Sequence, residues 1–308
     1  MNKTAIIFGG GGQDGYFLKK LLISINYKVI IFSHSDGVSG PSLDVGNFKK
    51  VEKIIKKYSP EIIFHLAAKS STRHEFILEN QNAIVQGTLA ILESVERYLP
   101  KTKVFIASSA LIFKNNNNPI NEQNEIEIKN AYILARVEAL QITRYYRSRG
   151  LKVYIGFLFN HESPLRYKSS IVREIARGVV DIYLGLEKSF NIENIDIVKE
   201  WMWAGDAAEA ILKLVSQDRV FEVCIGDGIG ISVREYISKC LEILNISHKK
   251  NCIKNLNYNQ EYSKFISDPK KIKSLDWSPK FDVIYLATQT IKAEMSFRKL
   301  NLPDLKYD

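Results

Sequence analysis

The chain has 308 residues, 45% hydrophobic and 25% charged, with a formal net charge of +9. That is enough for one large α/β domain or one domain with a smaller appendage, in the composition range of ordinary soluble proteins. No apolar run approaches the roughly 20 residues of a membrane span, and the lysines are dispersed rather than set in a stripe with aromatics, which excludes a membrane or nucleic-acid partner from the expectation.

Met1-Asn2-Lys3 leads almost at once into the apolar run Thr4 to Phe8, so no signal peptide is expected and the location expected is cytoplasmic. The run ends in Gly9-Gly10-Gly11-Gly12-Gln13-Asp14-Gly15, and Tyr16 to Ile25 follows with Phe17, Leu18, Leu21 and Leu22 on one helical face. Strand, glycine turn and helix form the layout that rests a dinucleotide's pyrophosphate on backbone N–H groups. Gly9, Gly12, Gln13, Asp14 and Gly15 are therefore cofactor candidates. A plain tight turn also uses glycine; the strand–helix repetition behind this one favours the cofactor. Lys28 to Phe32 reads as a second strand ending in Ser33 and His34, where such folds meet the adenosine ribose. Neither an acid nor an arginine stands there. The lack of an arginine to balance a 2′-phosphate tips the choice between NAD and NADP toward NAD, with Asp36 as a ribose partner.

Helices are expected over Gly46 to Tyr58, Asn82 to Tyr98 and Tyr132 to Arg149, and strands over Ile62 to Leu66, Lys103 to Ala107 and Val153 to Phe159. Lys114 to Pro119 reads as a surface loop. The alternation predicts an α/β fold, a Rossmann doubly wound parallel sheet, over residues 1–160 plus later returning segments. Beyond Asn160 the alternation breaks. Helices near Ser170 to Leu184, Gly205 to Ser216 and Ser232 to Leu244, with a short strand at Phe221 to Ile225, suggest a smaller C-terminal α/β substrate lobe over 161–308. The tail from Lys299 is polar and expected to fray. Cys224, Cys240 and Cys252 keep no metal-ligand spacing, so no metal is expected.

Four stretches carry a resemblance: Gly12-Gln13-Asp14-Gly15, Leu66-Ala67-Ala68-Lys69-Ser70, Leu158 to Pro164, and Ser232-Val233-Arg234-Glu235-Tyr236. Over nearly its whole length the chain resembles the extended short-chain dehydrogenase/reductases, and within them the GDP-mannose 4,6-dehydratase family. The resemblance implies hydride transfer between a nicotinamide and C4 of a nucleotide-linked sugar. A Tyr moves the C4 hydroxyl proton, a Ser or Thr bonds the same oxygen, and a Lys four residues after the Tyr holds the nicotinamide ribose. Tyr132 matches the Tyr and Ser109 the Ser or Thr, but Arg136 occupies the Lys position. A free phenol titrates near ~10, so a base role needs a cation beside it. Arg136 brings the charge on a wider, planar fork. Taken alone, Tyr132 and Arg136 would be an ordinary i, i+4 pair on an exposed helix.

The resemblance further places Asp44 and Val45 at the adenine, and Leu66, Ala67, Ala68 and Lys69 beside the pyrophosphate and nicotinamide ribose. It puts Ser70, Asn160, Arg166, Arg173, Asn194, Lys199 and Glu261 at the sugar nucleotide, with Leu165 in place of one arginine. His161 would orient backbone, and Trp201 and Trp203 read as core. Where the dehydratases carry the Glu that removes the C5 proton stands Leu111, and an alkyl group accepts no proton. Glu122, Glu125 or Glu127 would have to replace it. The expected activity is NAD(P)-dependent redox chemistry at C4 of a GDP-linked sugar, as dehydrogenase, 4-keto reductase or epimerase. The alternatives are a 4,6-dehydratase with a relocated base and a nucleotide-sugar binding protein without turnover. The resemblance also implies a homodimer through the helices at 82–98 and 132–149, and a place in polysaccharide synthesis.

Overall fold

A computed structural model describes residues 3–34, 40–246, 253–256 (backbone only) and 262–300; Asp36, Cys252, Glu261 and the tail beyond 300 lie outside the described residues. The chain runs β1 (Thr4–Phe8), α1 (Gln13–Ser24), β2 (Lys28–Phe32), α2 (Phe48–Tyr58) and β3 (Ile62–His65). It continues through α3 (Ile77–Asn80), α4 (Gly87–Tyr98), β4 (Lys103–Ser109), α5 (Ala131–Ser148) and β5 (Val153–Leu158). Then come β6 (His161–Glu162), α6 (Ile171–Tyr183), β7 (Phe190–Glu193), β8 (Val198–Lys199), β9 (Met202–Trp203) and α7 (Ala204–Val215). Last are β10 (Glu222–Ile225), β11 (Ile231–Ser232), α8 (Val233–Ile243), β12 (Ile253–Leu256), β13 (Lys264–Phe265), α9 (Lys270–Lys273) and α10 (Val283–Phe297).

Six strands pair in parallel in the order β10-β5-β4-β3-β1-β2. The chain steps outward from β1 to β2 and then back past β1 to β3. The crevice between the carboxyl ends of β1 and β3 is thus the switch point at which doubly wound sheets take ligands. Both sheet faces are covered. Leu18, Leu22, Ile211 and Leu214 of α1 and α7 pack on Ile7, Phe64 and Phe105. On the other face Val51, Ile55, Ile91 and Val95 of α2 and α4 pack on Ile6, Phe8, Ile63 and Val104. A separate core joins α6, α8 and α10 through Val172, Ile175, Ile237, Leu286 and Ile291. Trp201 stacks there on Tyr236 with ring centroids 4.0 Å apart, and Trp203 meets Phe17 of α1 edge-on at 5.2 Å. Both indoles are buried packing groups.

Local signals explain most boundaries. Asn47 caps α2 by accepting from Lys50 N–H, and Ser59 ends it in the left-handed region at φ 42°. Ser232 and Glu235 form a reciprocal capping box at the start of α8. Four features depart from the reading of the sequence. The strand at 222–225, grouped above with the C-terminal lobe, joins the main sheet beside β5, and α7 packs on α1. The helix expected from Asn82 begins at Ile77, because α3 and α4 are one continuous helix through a π-helical stretch, Gln81–Gln86. Leu78 and Glu79 are exposed there, so no apolar period marks the extra turns. Helix α10, capped by Asp282 on Tyr285 N–H, has no counterpart in that reading. The asparagine run is a staple as well as a loop: Asn115 donates to Lys264 O at 2.8 Å, and Asn117 Oδ1 accepts from Ser263 N–H and Lys264 N–H at 2.9 and 3.0 Å. Among the described residues no helix is long and apolar enough to cross a membrane.

Candidate active site

The glycine turn sits at the switch point. Gly9 has φ +81°, and its N–H and that of Gly10 donate to Phe32 O at 2.8 and 3.1 Å, tying the turn to the end of β2. A Cβ on Gly9 would lie 2.4 Å from Ala67 N, so the turn and the Leu66-Ala67 backbone meet across the crevice. Gly15 likewise leaves no room, its would-be Cβ falling 2.4 Å from Gly10 Cα. Gly12 differs: the nearest atom to a Cβ there is Gly9 O at 4.0 Å. Gly12 is also the N-cap of α1, and no side chain caps it. Uncapped first-turn N–H groups beside open space at a switch point fit a pyrophosphate.

The neighbouring candidates line the same edge. Ser33 O accepts from Leu43 N–H at 2.8 Å, and Ser42 Oγ donates to His34 O at 2.8 Å. Asp44 Oδ1 accepts from Gly46 N–H at 3.0 Å and Asn82 Nδ2 at 2.7 Å, which ties it to the start of α2 and to the π-helical stretch; Val45 is buried. Lys69 Nζ lies 4.5 Å from the Phe76 ring centroid, and Ser70 is exposed.

At the end of β4, Ser109 Oγ accepts from Leu111 N–H at 3.2 Å. Asn130 caps α5 by accepting from Ile133 N–H at 3.0 Å, which puts Tyr132 in the first turn and Arg136 one turn on, along the same face. Arg136 Nε donates to Tyr132 Oη at 3.2 Å, and Nη1 donates to Ala107 O. Tyr132, Arg136 and Ser109 are 8%, 6% and 8% exposed, so the tyrosine–arginine pair is an interior contact. Because the phenol oxygen already accepts from Arg136, its own O–H is free to donate to another group. A guanidinium held on that oxygen steadies the negative charge that appears when the proton leaves. Two polar groups missed in the sequence lie in this region. Ser108 Oγ is buried with no hydrogen-bond partner among the described residues, and the buried His65 ring lies against the Ala83 and Ile84 backbone. Burial and then the charge of Arg136 push the His65 pKa down to about 4, leaving it neutral. His65 was read only as part of an apolar strand, and no spacing marked it.

Leu111 lines a cavity of ≈ 280 Å³ with Phe113, Ile133, Tyr262 and Phe265 among its walls. The three loop glutamates each have a partner, and Lys129, the partner of Glu127, lines the same cavity as Leu111. Glu122 Oε1 accepts from Cys224 N–H at 2.5 Å, Glu125 pairs with Lys114 at 3.0 Å, and Glu127 pairs with Lys129 at 3.2 Å.

The Asn160 loop is clasped to the glycine turn. Gln13 Nε2 donates to His161 O at 3.0 Å, and Ser163 Oγ donates to Gln13 Oε1 at 2.8 Å. His161 reaches Phe159 O through Nδ1 at 2.7 Å and Asp14 Oδ1 through Nε2 at 2.9 Å. Both partners are acceptors, so the ring donates from both nitrogens only as the imidazolium. Burial opposes charge on Asp14 and His161, yet their attraction outweighs it, holding the carboxyl below and the imidazole above its ordinary value. Arg166 pairs with Glu162 at 3.1 Å. Arg173 Nη1 donates to Pro164 O at 2.8 Å, and Nη2 lies 3.6 Å from Glu294, so this guanidinium anchors the loop to α10. Burial pushes the Lys199 ammonium pKa down, and Lys199 Nζ sits 4.4 Å from the Trp201 ring centroid. Asn194 follows β7 with φ +54°. Asn160 is half-buried, and its amide makes no hydrogen bond among the described residues.

The sign of the Asp14–His161 linkage gives a stability prediction. A lowered carboxyl contributes above its ordinary 3.8, and a raised imidazole contributes fully below its ordinary 6.5. His161→Gln is expected to cost about 1–3 kcal/mol within that window. The difference from wild type shrinks as pH climbs through the raised imidazole value. Thermal unfolding of both proteins between pH 5 and pH 9 checks it.

The GDP-mannose 4,6 dehydratase family model matches residues 6–290. A GDP-mannose 4,6-dehydratase of Vibrio cholerae is 30% identical over 271 residues, covering 79% of this chain and 72% of that one. Among solved structures, dTDP-glucose 4,6-dehydratase from Bacillus anthracis in complex with NAD superposes with a TM-score of 0.82 at 20% identity, covering 96% of this chain and 98% of that one. RMD from Pseudomonas aeruginosa complexed with NADPH superposes with a TM-score of 0.83 at 16% identity, covering 96% and 99%. The chain belongs to the GDP-mannose 4,6-dehydratase family of the extended short-chain dehydrogenase/reductases, a family of NAD(P)-dependent enzymes acting on nucleotide sugars.

Proposed function

We propose that this enzyme carries out NAD(P)-dependent oxidoreduction at C4 of a GDP-linked sugar and does not eliminate water from it. The uncapped N-terminus of α1 at Gly12 would hold a nicotinamide dinucleotide, which would supply or accept the hydride. Tyr132 gives or takes the proton at the C4 oxygen, Ser109 Oγ bonds that oxygen, and Arg136 holds positive charge against the phenol. The absence of an arginine beside Ser33 and His34 favours NAD over NADP. Asn160, Arg166 and Lys199 hold the sugar nucleotide, and pairing through α4 and α5 makes a cytoplasmic homodimer.

The reading rests on the family pattern laid over one contact: the residue that by resemblance would be the C5 base is Leu111, a hydrocarbon whose N–H donates to Ser109 Oγ at 3.2 Å beside the buried Tyr132–Arg136 pair. Glu122, Glu125 and Glu127 are bonded to other partners. The test incubates the pure protein with GDP-mannose and NAD⁺, and separately with its 4-keto counterpart and NADH. Nicotinamide absorbance and product mass are followed together. A change of two hydrogens with matching absorbance is expected. A product lighter by one water would establish a dehydratase with a relocated base. Tight binding of both ligands without turnover would establish a binding protein, which the departure from lysine at Arg136 favours.

A further inference from the structure

By resemblance Gln13 belongs to the cofactor turn, yet its side chain is turned away from the open space over Gly12. It is buried, and both ends of its amide are bonded into the Asn160 loop, Nε2 to His161 O and Oε1 to Ser163 Oγ. Ser163 Oγ also accepts from Leu165 N–H at 3.2 Å, so one hydroxyl links Gln13 to the turn that leads into Arg166. The loop's other ties include the His161–Asp14 contact at 2.9 Å, the pairing of β6 with β9 and the grip of Arg173 on Pro164 O. With the Asp14–His161 contact, the Gln13 bonds bridge the first strand's turn to this loop across 147 to 150 residues of chain.

We propose that Gln13 is a positioning residue of the sugar-nucleotide site and not a contact of the dinucleotide. Its amide sets the height of the loop that presents Asn160 and Arg166, using one donor and one acceptor that no aliphatic side chain replaces. The inference rests on the assignment of that loop to the sugar nucleotide made above. It gives one residue two opposite expected phenotypes: a dinucleotide contact weakens NADH binding, and a loop support weakens binding of a guanosine diphosphate.

The test measures dissociation constants for NADH, by fluorescence, and for GDP and GDP-mannose, by calorimetry, on wild type, Gln13→Leu and Ser163→Ala. Gln13→Leu is expected to weaken both guanosine ligands about tenfold and to leave NADH within about twofold, the scale of an unpaired buried hydrogen bond. Ser163→Ala, which removes the donor to Gln13 Oε1 and the acceptor of Leu165 N–H, is expected to move the same ligands in the same direction. It carries the test if Gln13→Leu does not fold. Where turnover is measurable, KM for the sugar nucleotide rises while kcat stays. Weakened NADH with unchanged guanosine ligands overturns the inference alone, and so does no change in either ligand. A wild type that binds NADH but no guanosine diphosphate overturns the site reading and the inference together.

Discussion

Tyr132→Phe is expected to lower kcat by about 10²–10⁴-fold, the usual worth of a positioned proton-transfer group. The substitution removes one oxygen and leaves the ring, which Arg136 Cζ approaches to 5.1 Å. Dissociation constants for both ligands should change by no more than about tenfold, since ground-state binding loses one hydrogen bond at most. Arg136 Nη1 still has Ala107 O to donate to, so the guanidinium keeps one of its two anchors. Single-turnover absorbance at saturating sugar nucleotide, together with ligand titrations, separates lost chemistry from lost binding. Turnover undiminished in the phenylalanine variant would remove Tyr132 from the reaction.

The second large effect contrasts two glycines of one turn. Gly9→Ala is expected to cost on the order of 3 kcal/mol, from the strained backbone at positive φ and from overpacking. Its Cβ would stand 2.4 Å from backbone nitrogen of Ala67, a position set by β3 and unable to give way like a flexible side chain. The turn and the Leu66-Ala67 segment would be forced apart, so dinucleotide binding falls with stability. Gly12→Ala is expected to fold normally, with 4.0 Å to the nearest atom, and yet to weaken dinucleotide binding, because its methyl projects into the space assigned to the pyrophosphate. Thermal unfolding and NADH titration of the two variants read this out. Equal loss of stability in both would contradict the geometry.

Much of the architecture was legible because buried parallel strands are unbroken apolar runs. Ile62 to Phe64 and Val104 to Ile106 could hardly be anything else, and each is followed by a helix with one apolar face. The tyrosine, serine and arginine were legible only through the family pattern, since spacing alone left Tyr132 and Arg136 as a helix-surface pair. Their burial comes from the packing of α5 on β4, a long-range fact. The clasp between Asp14 and His161 joins positions 147 residues apart, which no local period encodes. Sequence analysis could name both motifs without seeing that they bond to each other. The strand at 222–225 was misplaced for a related reason. Four apolar-rich residues announce a strand but not its neighbour, and here the neighbour is β5.

That neighbour has a bearing on how the polypeptide matures. The main sheet is not finished when its fifth strand emerges from the ribosome. The flank of β5 stays uncovered until α6, α7 and the strands between them have been translated and residues 222–225 arrive to close it. Nascent chains stalled ahead of that point carry an open, fully apolar border of the kind that recruits other strands. Truncations ending before Glu222 are therefore prone to aggregate even though they contain every residue of the tyrosine–serine–arginine centre.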